Sequence, residues 1–183
     1  MASRFDDELW ELVPADPGPS PAHLVEFVRG LGPVRRALDI GCGDGRLTAE
    51  LDAAALTAAD VSPVALERAR ARLPSAAALV ELEPDAPLPF ADGSFELVLS
   101  AETAEHVRDL QLFLSETRRV LVPGGELALT TPAAAPLVRP GNPLSPHLRR
   151  FTRRSLRGVL DELGFEVTSL RRRAGTLLAR ARR

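Results

Sequence analysis

The sequence predicts an α/β fold in which a mostly parallel sheet of seven strands carries helices on both faces. Short apolar segments alternate along the chain with segments whose apolar residues have helical spacing. This alternation is typical of parallel strands joined by helical crossovers. The length of 183 residues suits one domain, so we expect a single sheet and a single core.

Each element is predicted from its own pattern and its boundary residues. Ser62 is the predicted N-cap of the second helix, with Pro63 in the first helical position, and Gly164 is the predicted C-cap of the last helix. The predicted strands span residues 36–40, 56–60, 79–82, 95–100, 126–131, 165–170 and 175–181. The predicted helices span residues 47–52, 64–73, 112–122 and 152–163. Ligands of parallel sheets bind beyond the carboxyl ends of the strands, which selects segments 41–46, 60–62, 83–86 and 100–106.

The amino-acid composition limits the classes of protein to which the chain can belong. Apolar residues make up 45% and charged residues 26% of the chain, as in ordinary globular proteins. No run of about 18 apolar residues occurs, and the acidic N-terminus does not fit a secretory signal, so we expect a cytoplasmic protein without a membrane span. The net charge of −2 hides an acidic first part and an arginine-rich last part. All 23 basic residues are arginine, which coding bias alone can produce.

A glycine-rich turn follows the first predicted strand. Residues 37–45 read ALDIGCGDG, with glycine at every second position from 41. Arg46 replaces the last glycine of the dinucleotide fingerprint, and the Lys of a P-loop is absent. Asp39 and Asp44 disfavour a pyrophosphate and favour a cationic ligand. Asp60, at the end of the second strand, is placed to accept hydrogen bonds from ribose hydroxyls. The turn therefore favours a phosphate-free, cationic nucleoside such as S-adenosylmethionine.

Four motifs in order over about residues 34–170 resemble those of class I S-adenosylmethionine-dependent methyltransferases, in the small type 11 subgroup. They are ALDIGCGDGRL, ADVSPVALERAR, LPFADGSFELVLSAETAEHV and FLSETRRVLVPGGELALTTP. The resemblance implies a Rossmann-like fold and methyl transfer to the oxygen, nitrogen or carbon of a small molecule. It also implies an N-terminal helical cap (1–33), a cofactor-binding half (34–131) and a substrate-side and C-terminal part (132–183).

The same resemblance implies the cofactor contacts. They are expected from Asp39, Gly41, Cys42, Gly43, Asp60, Val61 and Asp85. One departure concerns the acid that contacts the adenine in the family, because Pro84 occupies its position here. We favour Asp85 over Glu83 for that contact.

The segment ETAEH at 102–106 follows the strongest predicted strand, at the rim where a methyl acceptor would bind. Glu102, Glu105, His106 and the distant His147 offer two carboxylates and two imidazoles, a set that suits a divalent metal ion. The stretch resembles ubiquinone-pathway O-methyltransferases and the enzymes that 2′-O-methylate the 3′ end of small RNAs, where these four residues bind the metal. Three roles remain open: a metal site, a single general base at His106, or a structural role.

The alternative function is therefore a metal-dependent 2′-O-methyltransferase acting on the 3′-terminal ribose of RNA. Clustered arginines near the C-terminus suit phosphates, but a chain with seven Phe, one Trp and no Tyr has few base-stacking platforms. A small-molecule acceptor is the principal prediction, and a cofactor-binding protein without catalysis is a third. Trp10 marks an N-terminal segment that either covers the cofactor or packs as a plain helix.

Overall fold

The computed structural model describes residues 7–8, 10–14, 17–134 and 147–183, and it confirms the predicted sheet. The strands are β1 (Val34–Ile40), β2 (Ala53–Asp60), β3 (Ala78–Glu81), β4 (Phe95–Ala101), β5 (Leu121–Pro132), β6 (Glu166–Arg173) and β7 (Thr176–Arg182). Their order in the sheet is β3-β2-β1-β4-β5-β7-β6. The first five strands pair in parallel, and β7 runs antiparallel between β5 and β6.

Helices lie before, between and after the parallel strands. The four α-helices with described bounds are α1 (Ala22–Arg29), α2 (Pro63–Arg72), α3 (Leu110–Val120) and α4 (Arg153–Glu162). Residues 7–8 and 10–12 are also helical. The predicted helix at 47–52 is only a 3-10 turn at Thr48–Glu50, because Leu51 already has extended dihedrals and leads directly into β2. None of the helices in the described part of the chain is both long enough and apolar enough to cross a membrane.

The two predicted cap residues, Ser62 and Gly164, both lie at ends of helices. Ser62 accepts a hydrogen bond from the Ala65 amide at 3.2 Å and caps α2, as predicted. Gly164 follows the end of α4 with φ +79°, the left-handed conformation that favours glycine. The predicted helix end at 122 was two residues late, since α3 stops at Val120 and Leu121 already pairs with Phe95 in the sheet.

The core occupies both faces of the sheet. On one face, buried residues such as Leu38, Leu114 and Leu160 join the sheet to α3 and α4. On the other face, Val28 of α1 packs near Ala37 and Leu99. Strand β1 has β2 on one side and β4 on the other, so the strand order reverses there and leaves a crevice at the carboxyl ends.

Candidate functional site

A cavity of about 500 Å³ opens at the carboxyl ends of β1, β2 and β4. All four segments that the sequence selected contribute to its wall. Of the seven predicted cofactor residues, five line it: Gly41, Gly43, Asp60, Val61 and Asp85. The remaining wall comes from Trp10, the loop before β4, the turn after β4 and one face of α3. The topology therefore gathers distant segments into one site.

The glycine turn is held in close contact with its neighbours. Gly41 and Gly43 have φ of +75° and +55°. A Cβ at Gly41 would lie 2.3 Å from Oγ1 of Thr103, and one at Gly43 would lie 2.6 Å from the ring of Trp10. Both positions therefore require glycine for conformation and for space. This close packing holds the backbone of Gly41 and Gly43 at the wall of the cavity.

Asp39 lies buried beneath this turn and is not part of the cavity wall. Its Oδ2 accepts a hydrogen bond from the Thr48 hydroxyl at 2.6 Å, while its Oδ1 has no hydrogen-bond partner among the described residues. Burial raises the pKa of Asp39 to about 7, with the nearby charge of Asp60 adding to the effect. A buried carboxylate with an unsatisfied oxygen is suited to a cationic ligand group.

Cys42 also lies away from the cavity. Its side chain is buried in a cluster with Ala58 and Leu66, on the side of α2. Its amide donates to the Ala59 carbonyl at 3.1 Å, so this bond holds the turn to the end of β2. Burial raises the pKa of the Cys42 thiol. The residue therefore supports the turn, and its thiol does not face the ligand space.

Asp60 ties the second strand to the glycine turn. One oxygen of its buried carboxylate accepts a hydrogen bond from the Gly43 amide at 2.8 Å, and the other accepts one from the Ser62 amide at 2.9 Å. Burial raises the pKa of Asp60, and these backbone donors oppose that rise. The carboxylate also lines the cavity, so its remaining lone pairs are available to a ligand.

Helix α3 holds the loop that carries the predicted adenine contact. Glu83 and Asp85 both line the cavity, and Asp85 has φ +56°. Glu116 accepts a hydrogen bond from the Leu88 amide at 2.8 Å, and Arg119 donates to the Leu88 carbonyl at 3.0 Å. This support of the loop is not predicted from the sequence. The one sequence signal for it is the helical spacing of Glu116 and Arg119, which fits an ion pair.

Three of the four predicted metal ligands come together on the rim. Glu105, His106 and His147 each offer a ligand atom, and these atoms all lie within 4.8 Å of one another. The two imidazole centroids are 4.9 Å apart. Glu102 stands outside this group, because its carboxylate accepts a hydrogen bond from Thr130 at 2.9 Å. We call Glu105, His106 and His147 the rim cluster.

The electrostatics of the rim cluster favour neutral groups. Glu105 is 1% exposed, and burial, with the nearby charge of Glu102, raises its pKa to about 7. Burial and the charge of Arg150 lower the pKa of His147. The Nε2 atom of His106 lies 3.9 Å from Oε1 of Glu105. Both shifts favour the uncharged form of the group, and an imidazole must be uncharged to bind a metal ion.

Arg149 fastens the rim cluster together. Its guanidinium donates to the carbonyls of Ala104 at 3.1 Å and Arg108 at 2.9 Å, and also to the Val107 carbonyl. The Leu148 amide donates to the Glu105 carbonyl at 2.8 Å. These bonds attach the segment that carries His147 to the turn that carries His106. The sequence showed only a cluster of arginines, without this function.

The N-terminal segment lies against the glycine turn. Asp7 accepts a hydrogen bond from the Ser62 hydroxyl, and Arg68 donates to the Val13 carbonyl at 3.0 Å. The Arg68 guanidinium also lies 5.8 Å from the centre of the Trp10 ring. Trp10 thus forms one wall of the cavity.

Comparison with known proteins decides the family. The family described as "Methyltransferase domain" matches residues 38–129, half of the chain. The chain belongs to the class I S-adenosylmethionine-dependent methyltransferases. It is similar to an uncharacterised methyltransferase of Synechocystis, with 33% identity over 154 residues, which cover 75% of this chain and 69% of that protein.

Two further comparisons set the limits of this likeness. The methyltransferase is 34% identical over 116 residues to 27-O-demethylrifamycin SV methyltransferase of Amycolatopsis mediterranei, covering 58% of this chain and 43% of that one. The crystal structure of an S-adenosylmethionine-dependent methyltransferase from Mesorhizobium loti has a TM-score of 0.71 at 22% identity, covering 86% and 96% of the two chains. That likeness confirms the fold, and it carries no information about the methyl acceptor.

The close packing of Thr103 against Gly41 leads to a testable prediction about stability. Gly41→Ala should lower the free energy of unfolding by about 1–3 kcal/mol more than Gly32→Ala, because the added methyl group clashes with Thr103. Gly32 is the matched control, since it has φ +80° but no atom within 4 Å of an added Cβ. Urea denaturation measures both variants, and equal losses would contradict the packing argument.

The hydrogen bonds of Arg149 lead to a second prediction, about the rim cluster. Because the chain has only three histidines, their ring resonances can be followed separately by NMR. Arg149→Ala should shift the resonances of His106 and His147 and leave that of His23 in place. Arg154→Ala, on the exposed face of α4, is the control and should shift none of them. Unchanged rim resonances in Arg149→Ala would show that Arg149 does not hold the cluster.

Proposed function

We propose that this methyltransferase binds S-adenosylmethionine in the 500 Å³ cavity and transfers its methyl group to an oxygen, nitrogen or carbon of a small-molecule acceptor. The observation that carries the proposal is the arrangement of two buried carboxylates, Asp39 and Asp60, around a glycine turn at the switch point of the sheet. The named relative that acts on a demethylrifamycin supports a small-molecule acceptor.

The residues present fit the cofactor. The unsatisfied Oδ1 of Asp39 suits the ammonium group of the methionine part, and glycines at 41 and 43 let that part lie against the backbone. Asp60 and Val61 would hold the ribose and flank the adenine, and Asp85 would contact the adenine edge. When bound, S-adenosylmethionine supplies an electrophilic methyl group on its sulfonium.

His106 is the proposed catalytic residue on the acceptor side. Its side chain is 36% exposed and lines the cavity, so an acceptor can reach it, and it stands beside the buried Glu105. An imidazole there can remove the acceptor proton as the new bond to the methyl group forms. Positioning of donor and acceptor would supply much of the remaining rate enhancement.

The rim cluster also fits a divalent metal ion. It provides one carboxylate and two imidazoles, and the buried Oε1 of Glu105 has no hydrogen-bond partner among the described residues. A bound ion would lower the pKa of an acceptor hydroxyl and orient it. Glu102 would not be a ligand in this arrangement.

The alternative of an RNA 2′-O-methyltransferase is not favoured. It depended on four metal ligands, of which Glu102 stands apart, and on a basic C-terminal segment. Arg149 in that segment holds the acceptor-side turn through backbone carbonyls, so it is not free for phosphates. The curated relatives described above are methyltransferases, and the one with a named substrate acts on a small molecule.

Calorimetry with S-adenosylhomocysteine tests the cofactor site. We expect binding at micromolar concentration with release of up to about one proton at pH 6, because Asp39 has a pKa of about 7 and the ligand ammonium, across the glycine turn, would favour its ionised form. Asp39→Asn should remove this proton release and weaken binding about 10-fold, as expected for loss of an attractive charge near the ligand. Proton release is read from titrations in two buffers of different ionisation enthalpy.

Asp52→Asn is the control, because Asp52 is exposed and lies outside the cavity. It should leave affinity and proton release unchanged. Absence of any binding by the unaltered chain would refute the proposed function itself. Normal proton release in Asp39→Asn would refute only the role of Asp39.

The metal hypothesis has its own readout. Substoichiometric Mn²⁺ should broaden the ring resonances of His106 and His147 and spare that of His23, because in the described part of the chain only the rim cluster brings two imidazoles and a carboxylate together. His147→Ala is expected to abolish the broadening of His106. Equal broadening of all three histidines, or none, would contradict a metal site and leave His106 as the base alone.

A further inference from the structure

We propose that a second groove of this protein binds a phosphate-bearing small molecule, and this inference does not depend on the proposed methyl transfer. The groove, of about 610 Å³, lies between α1 and strands β5, β7 and β6. We call it the arginine groove and define it by His23, Arg171, Arg173, Arg180 and Arg182. None of its lining residues belongs to the wall of the cofactor cavity.

The hairpin of β6 and β7 concentrates these arginines. Ser169 pairs with Arg180, and Arg171 pairs with Leu178, so strand alternation directs Arg171 and Arg180 to the same face of the sheet. Strand β6 is the edge of the sheet and pairs only with β7. The arginines therefore stand on the outer part of a sheet face whose inner part is covered by α1.

The charges in the groove do not balance. Only two acids line it: Glu26 pairs with Arg173, and Glu126 pairs with Arg180 at 2.9 Å. Among the described residues, the side chains of Arg171, Arg172 and Arg182 make no ion pair or hydrogen bond. Arg172 pairs with Leu177 and therefore projects to the opposite face of the sheet, which leaves the groove a surplus of two positive charges, although the whole chain carries −2. Like charges on neighbouring strands repel each other, and a bound anion would relieve that repulsion.

The side chains favour phosphate over other anions. Guanidinium groups bind phosphate oxygens in pairs, and several arginines in one groove can share a single phosphate or bind successive ones. The hydroxyl of Ser169 adds a neutral donor to the same wall. Phe27 and the imidazole of His23 are the aromatic rings among the lining residues, so the groove offers little base stacking. A small phosphorylated compound therefore fits better than single-stranded nucleic acid.

His23 allows the groove to be tested in the intact protein. It lies at the groove, where its Nε2 is 3.3 Å from the Thr176 hydroxyl, while His106 and His147 lie at the rim cluster. Titration with sodium tripolyphosphate should shift the His23 resonance to saturation and leave the other two in place. A shift of the same size with sodium chloride at equal ionic strength would overturn the proposal, as would a shift that never saturates.

Charge reversal identifies the residues. The double variant Arg171→Glu/Arg182→Glu should weaken tripolyphosphate binding at least tenfold, with the affinity for S-adenosylhomocysteine unchanged. Arg70→Glu, an exposed substitution on α2, is the control and should leave tripolyphosphate binding within twofold of the unaltered chain. Equal weakening by the control would show a general charge effect. Tighter binding of a single-stranded RNA oligonucleotide than of tripolyphosphate would overturn the small-molecule assignment.

Discussion

The hydrogen bond from the Gly43 amide to the buried Asp60 carboxylate joins the ends of two neighbouring strands, and the cofactor cavity depends on it. The turn after β1 would otherwise be a flexible, glycine-rich connection. Asp60 holds it from below, and the Trp10 ring packs against it from above. The backbone of the turn is thereby fixed at the wall of the cavity before a ligand arrives, which reduces the ordering cost of binding.

The burial of carboxylates makes this arrangement energetically costly. Asp39 and Glu105 are almost fully buried, and burial raises the pKa of each to about 7. An ionised carboxylate in such a place is costly unless a positive charge or several donors accompany it. The cofactor ammonium would compensate Asp39, and a proton or metal ion at the rim would compensate Glu105. The same buried groups thus favour positively charged partners at these positions.

Two arginines carry out structural tasks that the sequence did not distinguish from surface charge. Arg119 supports the loop before β4, and Arg149 fastens the segment of His147 to the turn of His106. Arg149 donates to three backbone carbonyls, and Arg119 donates to two as well as to the carboxylates of Glu116 and Asp92. Backbone carbonyl acceptors carry no sequence signature. A run of arginines in a chain that uses no lysine is therefore ambiguous until the partners of each guanidinium are known.

The sequence by itself determined the seven strands, the three helices α2, α3 and α4, the caps at Ser62 and Gly164, and the glycine turn with Asp60, because these follow from local periodicity and conformational preference. It also determined the family, through motifs that are continuous along the chain. Only the tertiary structure decided that Asp39 and Cys42 lie behind the turn and that Glu102 stands apart from His147. It also decided that Arg149 joins the segment of His147 to the turn of His106. Those outcomes depend on contacts between segments about 40 residues apart or on which side of a turn a side chain points, and no local pattern encodes either.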